Sequence, residues 1–195
     1  MFVPPSGHAA MVMARTDNTS YPWWAPFGLT VGYLSDVLRV RTITTQGNRD
    51  YMYGNGNAIN CIAKPFSNSS YVVWGERTLQ RASTSRDRIH VRRMLNYLGR
   101  ALTYASRRII GSPNDEITWA NFRDLAEPIC EFIKNTQGLE DFRVVCNSST
   151  NPVEARRNSQ MRAQIVLVPM NFVETLVLNF VLLPVGATVT EVGAY

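Results

Sequence analysis

Lysine is almost missing from this chain of 195 residues: of its 20 basic residues only Lys64 and Lys134 are lysines, against 15 acids and a net charge of +5. The cationic side chains are therefore arginines, which suit defined contacts at an interface. Charge is sparse altogether, at 18% of residues with 45% hydrophobic, which points to a folded domain with part of its surface covered by partners. Cysteine is scarce too. Cys61, Cys130 and Cys146 are odd in number, far apart and set among apolar residues, so they form neither a disulfide framework nor a zinc knuckle and indicate synthesis in a reducing cytosol. The two histidines, His8 and His90, have no cysteine, histidine or carboxylate at ligand or triad spacing on their own elements and read as ordinary helix residues. No uninterrupted apolar run is long enough for a membrane span, since Pro169, Asn171, Glu174, Asn179 and Pro184 break the stretch from Ile165 to Val185. Met1 to Ser6 carries two prolines and no basic region ahead of an apolar one, so no secretion signal is expected.

What is present is a short helix from His8 to Arg15 capped by Ser6, then a loop from Asp17 to Gly28 with the Trp23-Trp24 pair. Strands are expected at Leu38–Thr44, Ala58–Ala63 and Tyr71–Gly75, with a turn at Gly54-Asn55-Gly56-Asn57. Trp74 should lie in the core under the first long helix, with Trp23 and Trp24 at least partly at the surface. That helix runs from a capping box at Thr84-Ser85-Arg86-Asp87 to Ile109, with Val91, Leu95, Leu98, Leu102, Ala105 and Ile109 on one buried face. A second spans Thr118 to Gly138 with Trp119, Phe122, Leu125, Ile129 and Ile133 inward and Pro128 as a kink. Strands at Phe142–Cys146, Met161–Val168 and Thr175–Leu183 follow, the last two forming an antiparallel hairpin, and 184–195 is an extended arm. The fold class is α+β: a mixed sheet with two long helices, a C-terminal β-hairpin and a C-terminal arm.

The feature with most bearing on function is a run of arginines on the first long helix. Arg86, Arg93, Arg100 and Arg107 recur every seventh residue, nearly two turns, and so form one basic stripe. Arg88, Arg92 and Arg108 add to it, and Asp87 is the only acid. An ordinary solvated face mixes signs in i,i+4 pairs, whereas this one lacks its acids and faces an acidic partner. An arginine-rich nucleic-acid-binding module is the alternative, given a pI of about 9.4. Against it, Asn96 and Thr103 flank the stripe and no nucleic-acid fold signature accompanies it. Cys130 lacks the basic neighbour or helix N-terminus that makes a thiolate nucleophile, and Gly54-Asn55-Gly56 lacks the Lys-Ser/Thr of a phosphate loop. No catalytic, metal-binding or cofactor-binding residue is expected, and no enzymatic activity.

Pro4-Pro5-Ser6-Gly7, Ala14-Arg15-Thr16-Asp17, Ala25-Pro26, Asn57-Ala58-Ile59-Asn60 and Val73-Trp74-Gly75-Glu76-Arg77-Thr78, in this order, resemble the C-terminal region of contractile tail sheath proteins. Arg92-Arg93 with its helix, Pro113-Asn114, Trp119 and the terminal strands continue the match, whose most specific part is Trp-Gly-x-Arg-Thr. The resemblance implies a structural protein of a virion tail, assembled in the host cytoplasm. It stacks as homo-oligomeric, hexameric rings in a helical sheath that contracts to drive a tail tube through a cell envelope. Its implied partners are the tail tube protein, baseplate proteins and tail terminator proteins, with no cofactor, membrane insertion or direct nucleic-acid binding. Family members are longer, with an N-terminal arm and usually outer domains ahead of the Pro4-Pro5 region, and they exchange terminal strands between subunits. On that basis residues 1–183 are the polymerising domain. The exchanged strand is Ala187, Thr188, Val189, Thr190, Glu191 and Val192, and the tube-contact candidates are Arg86, Arg93, Arg100 and Arg107, with Arg93 and Arg100 turned toward the tube.

Overall fold

A computed structural model describes residues 2–54, 57–80, 82, 84–174 and 176–178. In chain order the elements are α1 (Ser6–Thr19), α2 (Gly28–Val31), β1 (Tyr33–Leu34), α3 (Gln46–Tyr53), β2 (Cys61–Ala63) and β3 (Tyr71–Trp74). Then come α4 (Ile89–Ser106), α5 (Glu116–Asn135), β4 (Leu139–Val145), α6 (Val153–Arg157) and β5 (Gln164–Pro169). The class is α+β with two long helices, but among the described residues the strands form two antiparallel sheets, β1-β3-β2 and β4-β5, rather than one mixed sheet.

The main core lies between α4, α5 and the β4-β5 sheet. Val91, Met94 and Leu98 of α4 meet Trp119, Phe122, Ala126, Cys130 and Ile133 of α5, and Leu139 and Val144 close it from below. The spacing of the α5 set is the three-and-four alternation of an amphipathic helix. Pro128 sits on its exposed side without ending the helix. Register pairs Phe142 with Leu167 and Val144 with Ile165, so the apolar residues of both strands share the face toward the helices.

A C-terminal β-hairpin is present, made by β4 and β5 across the insertion that holds α6, whereas 176–178, within the segment expected to pair with the penultimate strand, are not in a strand. The rest of 175–183, and the arm at 184–195, lie outside the described residues. Asn151 makes the longer connection possible, since its buried amide donates to the Arg162 carbonyl at 2.9 Å and accepts from the Arg162 N–H at 2.6 Å. Those bonds satisfy the chain where it enters β5.

The tryptophans exchange the roles expected of them. Trp23 is 0% exposed, stacked on Tyr21 at 5.0 Å and edge-on to Tyr97 of α4 and Phe132 of α5, while Trp74 is 37% exposed. The cause is at the end of α5. Gln137 takes a left-handed φ of 63°, its N–H bonds to the Lys134 carbonyl, and the Gly138 N–H bonds to the Ile133 carbonyl at 2.8 Å, a Schellman closure. A Cβ on Gly138 would sit 2.5 Å from Trp23 Cδ1, so glycine opens the slot that the indole fills, with its Nε1–H donating to the Thr136 carbonyl at 3.1 Å. Trp24 packs partly buried on the same core.

Other departures are local. α1 is longer than expected and has Pro5, not Ser6, at its N-cap. Residues 38–44 form no strand. α4 begins at Ile89 after Arg88, and Thr84 closes a turn instead of capping the helix.

Candidate interaction surface

The arginines of the stripe divide. Arg86 precedes α4 and Arg107 is its C-cap, so only Arg93 and Arg100 lie within the helix. Arg93 is corrected as a partner-facing residue: it is only 16% exposed, forms an ion pair with Asp17 of α1 and donates to the Met13 carbonyl at 3.3 Å. Its side chain reaches from α4 to α1, and a guanidinium taken out of water there is held by the nearest acceptors. Arg100 and Arg107, in contrast, are exposed, as are Arg86, Arg92 and Arg108. Among the described residues no carboxylate lies within salt-bridge distance of any of these five. Tyr104 stands 68% exposed between Arg100 and Arg107, and with Gly99 and Thr103 they line a shallow depression of about 310 Å³. Periodicity alone gave the arginines, but Tyr104 was missed: it lies four residues after Arg100 and three before Arg107, the spacing of neighbours on one helix face.

At the other end of α4 the fold gathers charges from distant parts of the chain. Gly75, Glu76, Arg77 and Thr78 of the Trp-Gly-x-Arg-Thr stretch each have a task there. Gly75 has φ +124°, and a Cβ on it would lie 2.5 Å from the Tyr53 ring, so only glycine lets the chain turn past α3. Arg77 is held at both backbone groups by Asn60, at 2.8 and 2.9 Å, and its guanidinium lies 4.9 Å from the centre of the Tyr53 ring. Thr78 bonds to the Asp87 carbonyl, and the Ile89 N–H bonds to the Glu76 carbonyl, pinning this strap to the start of α4. Buried Asp87 pairs with Arg88 at 2.9 Å, and Arg88 also holds Glu174. Burial works against the charge on Arg88, but Glu174, Tyr53 and Asp87 outweigh it and raise its pKa. Burial, with the nearby Glu174 carboxylate, pushes the Tyr53 hydroxyl up to about 12.

His90 joins this cluster. Its Nδ1 lies 2.7 Å from Glu76 Oε2, Nε2 lies 3.1 Å from the Met170 carbonyl, and Phe172 packs edge-on at 4.9 Å. The pairing was invisible to a search for partners on the histidine's own helix, because Glu76 comes from the strap before it. Elsewhere His8 lies 3.7 Å from Asp36. The three cysteines are buried with pKa values raised by burial, Cys130 to about 11, so they are held as thiols. Among the described residues no group of acids, histidines and cysteines is arranged to hold a metal ion. The strand-exchange candidates Ala187, Thr188, Val189, Thr190, Glu191 and Val192 lie outside the described residues.

The arrangement is a core flanked by one self-neutralised charge cluster and one open basic patch, and comparison with known proteins gives it a setting. No protein-family model matches the sequence. The tail sheath protein of Vibrio phage KVP40 is 31% identical over 191 residues, 98% of this chain and 28% of that protein. The tail sheath protein of Enterobacteria phage T4 is 29% identical over 190 residues, again 28% of its length. Among solved structures, the PVC sheath complex of an extracellular contractile injection system in its contracted state superposes with a TM-score of 0.84 at 26% identity, over 93% of this chain and 51% of that one. The chain thus spans 28% of the length of the curated relatives it matches, and along almost all of its own length it is similar to tail sheath proteins.

Proposed function

We propose that the chain is the polymerising part of a structural, non-enzymatic subunit of a contractile tail sheath, with 1–183 as the domain and 184–195 as an arm donated to a neighbour. Subunits stack as hexameric rings around a tail tube, between a baseplate and a terminator. The sheath then shortens and widens to push the tube through the target envelope. It is assembled in the host cytoplasm and works in the virion tail. The observation that carries this reading is the similarity to tail sheath proteins along nearly the whole chain.

Two physical features support its details. The β4-β5 sheet has only two strands among the described residues, and each has an edge without a partner strand. A two-stranded sheet is marginal alone, and a strand from another subunit satisfies such an edge. Head-to-tail exchange of this kind does not close on itself and so propagates as a helix. The tube contact falls to Arg100 and Arg107, with Arg86 beside them, because electrostatic contacts hold register and can be released as the sheath moves.

Deleting the residues after Pro184 is expected to leave a folded, soluble monomer that forms no striated tubes by negative-stain microscopy. Tubes of normal length from that truncation would sink the arm assignment. Exposed Tyr104 between two arginines favours one second reading, a basic and aromatic surface for nucleic acid. Salt-dependent DNA binding that Arg100→Glu and Arg107→Glu abolish, with tube co-sedimentation unchanged, would select it.

A further inference from the structure

We propose that Glu76 and His90 form a one-proton clasp on the chain leaving β5, so that residues 170–174 stay docked while the pair holds its proton and detach when it is withdrawn. The hydrogen-bond geometry requires the proton. A carbonyl oxygen only accepts, so His90 Nε2, facing the Met170 carbonyl at 3.1 Å, carries hydrogen. Nδ1 then faces Glu76 Oε2 at 2.7 Å, a separation that needs a second hydrogen between them, on the ring or on the carboxyl. Both side chains are 2% exposed or less, and Glu76 Oε1 has no hydrogen-bond partner among the described residues, so His90 alone satisfies this carboxyl.

Without the shared proton, the neutral ring has one N–H for two acceptors; kept on Nδ1 for the carboxylate, it leaves the Nε2 lone pair facing the Met170 carbonyl with almost no water between them. A buried acceptor pair of that kind is strongly unfavourable, and the Met170 carbonyl must move away. Two contacts of the exit segment go with it, the bond to Met170 and the edge contact with Phe172. The charged and titratable groups surrounding the pair are Tyr53 from α3, Arg77 and Asp87 from the strap and the turn before α4, Arg88 at the N-cap, and Glu174. Arg88 and Glu174 make the second tie on the same segment, and that tie needs Glu174 charged. The exit segment is therefore held by one bond set that fails on proton loss and another that fails on proton gain, and is docked most firmly between those limits.

The test is hydrogen–deuterium exchange of peptides covering 170–174 in the 195-residue chain and its Glu76→Gln variant, each at ~pH 6 and ~pH 10. A glutamine amide donates to Nδ1 of the neutral ring and leaves Nε2–H on Met170, so the variant clasp needs no extra proton. Wild type and variant are expected to match at ~pH 6, with wild type exchanging roughly tenfold faster at ~pH 10. Comparison at equal pH removes the intrinsic pH dependence of exchange and the effect of Tyr53. Equal rates at both pH values would overturn the clasp. Should the variant fail to fold, nitrogen-15 NMR of wild-type His90 decides. Loss of the ring proton in step with loss of protection at 170–174 supports the proposal, and proton loss with protection unchanged refutes it. Neither readout needs an assembled sheath, so the clasp stands or falls apart from the function proposed above.

Discussion

At the N-terminal end of α4, Arg88 and Arg93 are tied to carboxylates from far along the chain, Glu174 and Asp17, and both side chains are largely sheltered. At its C-terminal end Arg100 and Arg107 stand in solvent around Tyr104 with no acid near them among the described residues. Helix polarity explains part of the difference. Arg88 at the N-cap needs acids to offset the positive end of the dipole, whereas Arg107 at the C-cap is favourably placed without them. Packing explains the rest, for His90, Val91, Met94 and Leu98, the buried residues of α4, all lie in its first ten positions. One end of the helix is committed to the fold, and the other is available.

The largest effect should come from the core on which the committed end rests. Trp23→Ala is expected to cost about 3–5 kcal/mol in urea unfolding, and Trp74→Ala no more than about 1 kcal/mol. A larger loss at Trp74 would reverse the assignment of the two rings. Next, Arg88→Ala leaves buried Asp87 with only the more distant Arg77 and should cost about 2 kcal/mol by the same measurement. Tyr53 gives a pH dependence whose sign follows from its raised pKa. In the unfolded chain the phenol ionises near its ordinary value of 10.0, and in the folded chain near 12, so its contribution is intact below about 10 and is lost as pH rises toward 12. Tyr53→Phe should flatten that alkaline decline; an unchanged slope would remove Tyr53 as its source. The smallest effect is expected at the open end, where Arg100→Ala and Arg107→Ala should alter stability by less than about 0.5 kcal/mol. A loss of 2 kcal/mol or more, seen by thermal unfolding, would place these arginines with the committed set.

How much of this was legible in the sequence depends on the range of the interaction. α4 and α5 were readable because their apolar residues repeat within a turn or two, but α5 begins at Glu116, ahead of the expected Thr118, because the Asp115 carboxylate caps it by accepting from the Thr118 N–H at 2.9 Å. α3 was missed because Gln46–Tyr53 has no apolar face to betray it, although Thr45 caps it through the Asn48 N–H. The pairing of β5 with β4 was not legible, for a different reason. Alternation shows that Ile165 and Leu167 share a face with a core beneath it, but any alternating strand could lie beside them. The arginine stripe was found as a repeat, while the removal of Arg93 from it depended on Asp17, 76 residues away. Glu76 and His90 are only 14 residues apart, yet the turn between them follows no helical or strand period.

The slot at Gly138 also sets a timetable. Trp23 is made 113 residues before the residue whose carbonyl receives its indole N–H. On a ribosome the ring and its neighbour Tyr21 therefore emerge long before α5 is complete, with the wall that will cover them still unsynthesised. A nascent chain halted before residue 138 would present this aromatic surface to chaperones or to other chains, until the end of α5 has left the ribosome and closed over it.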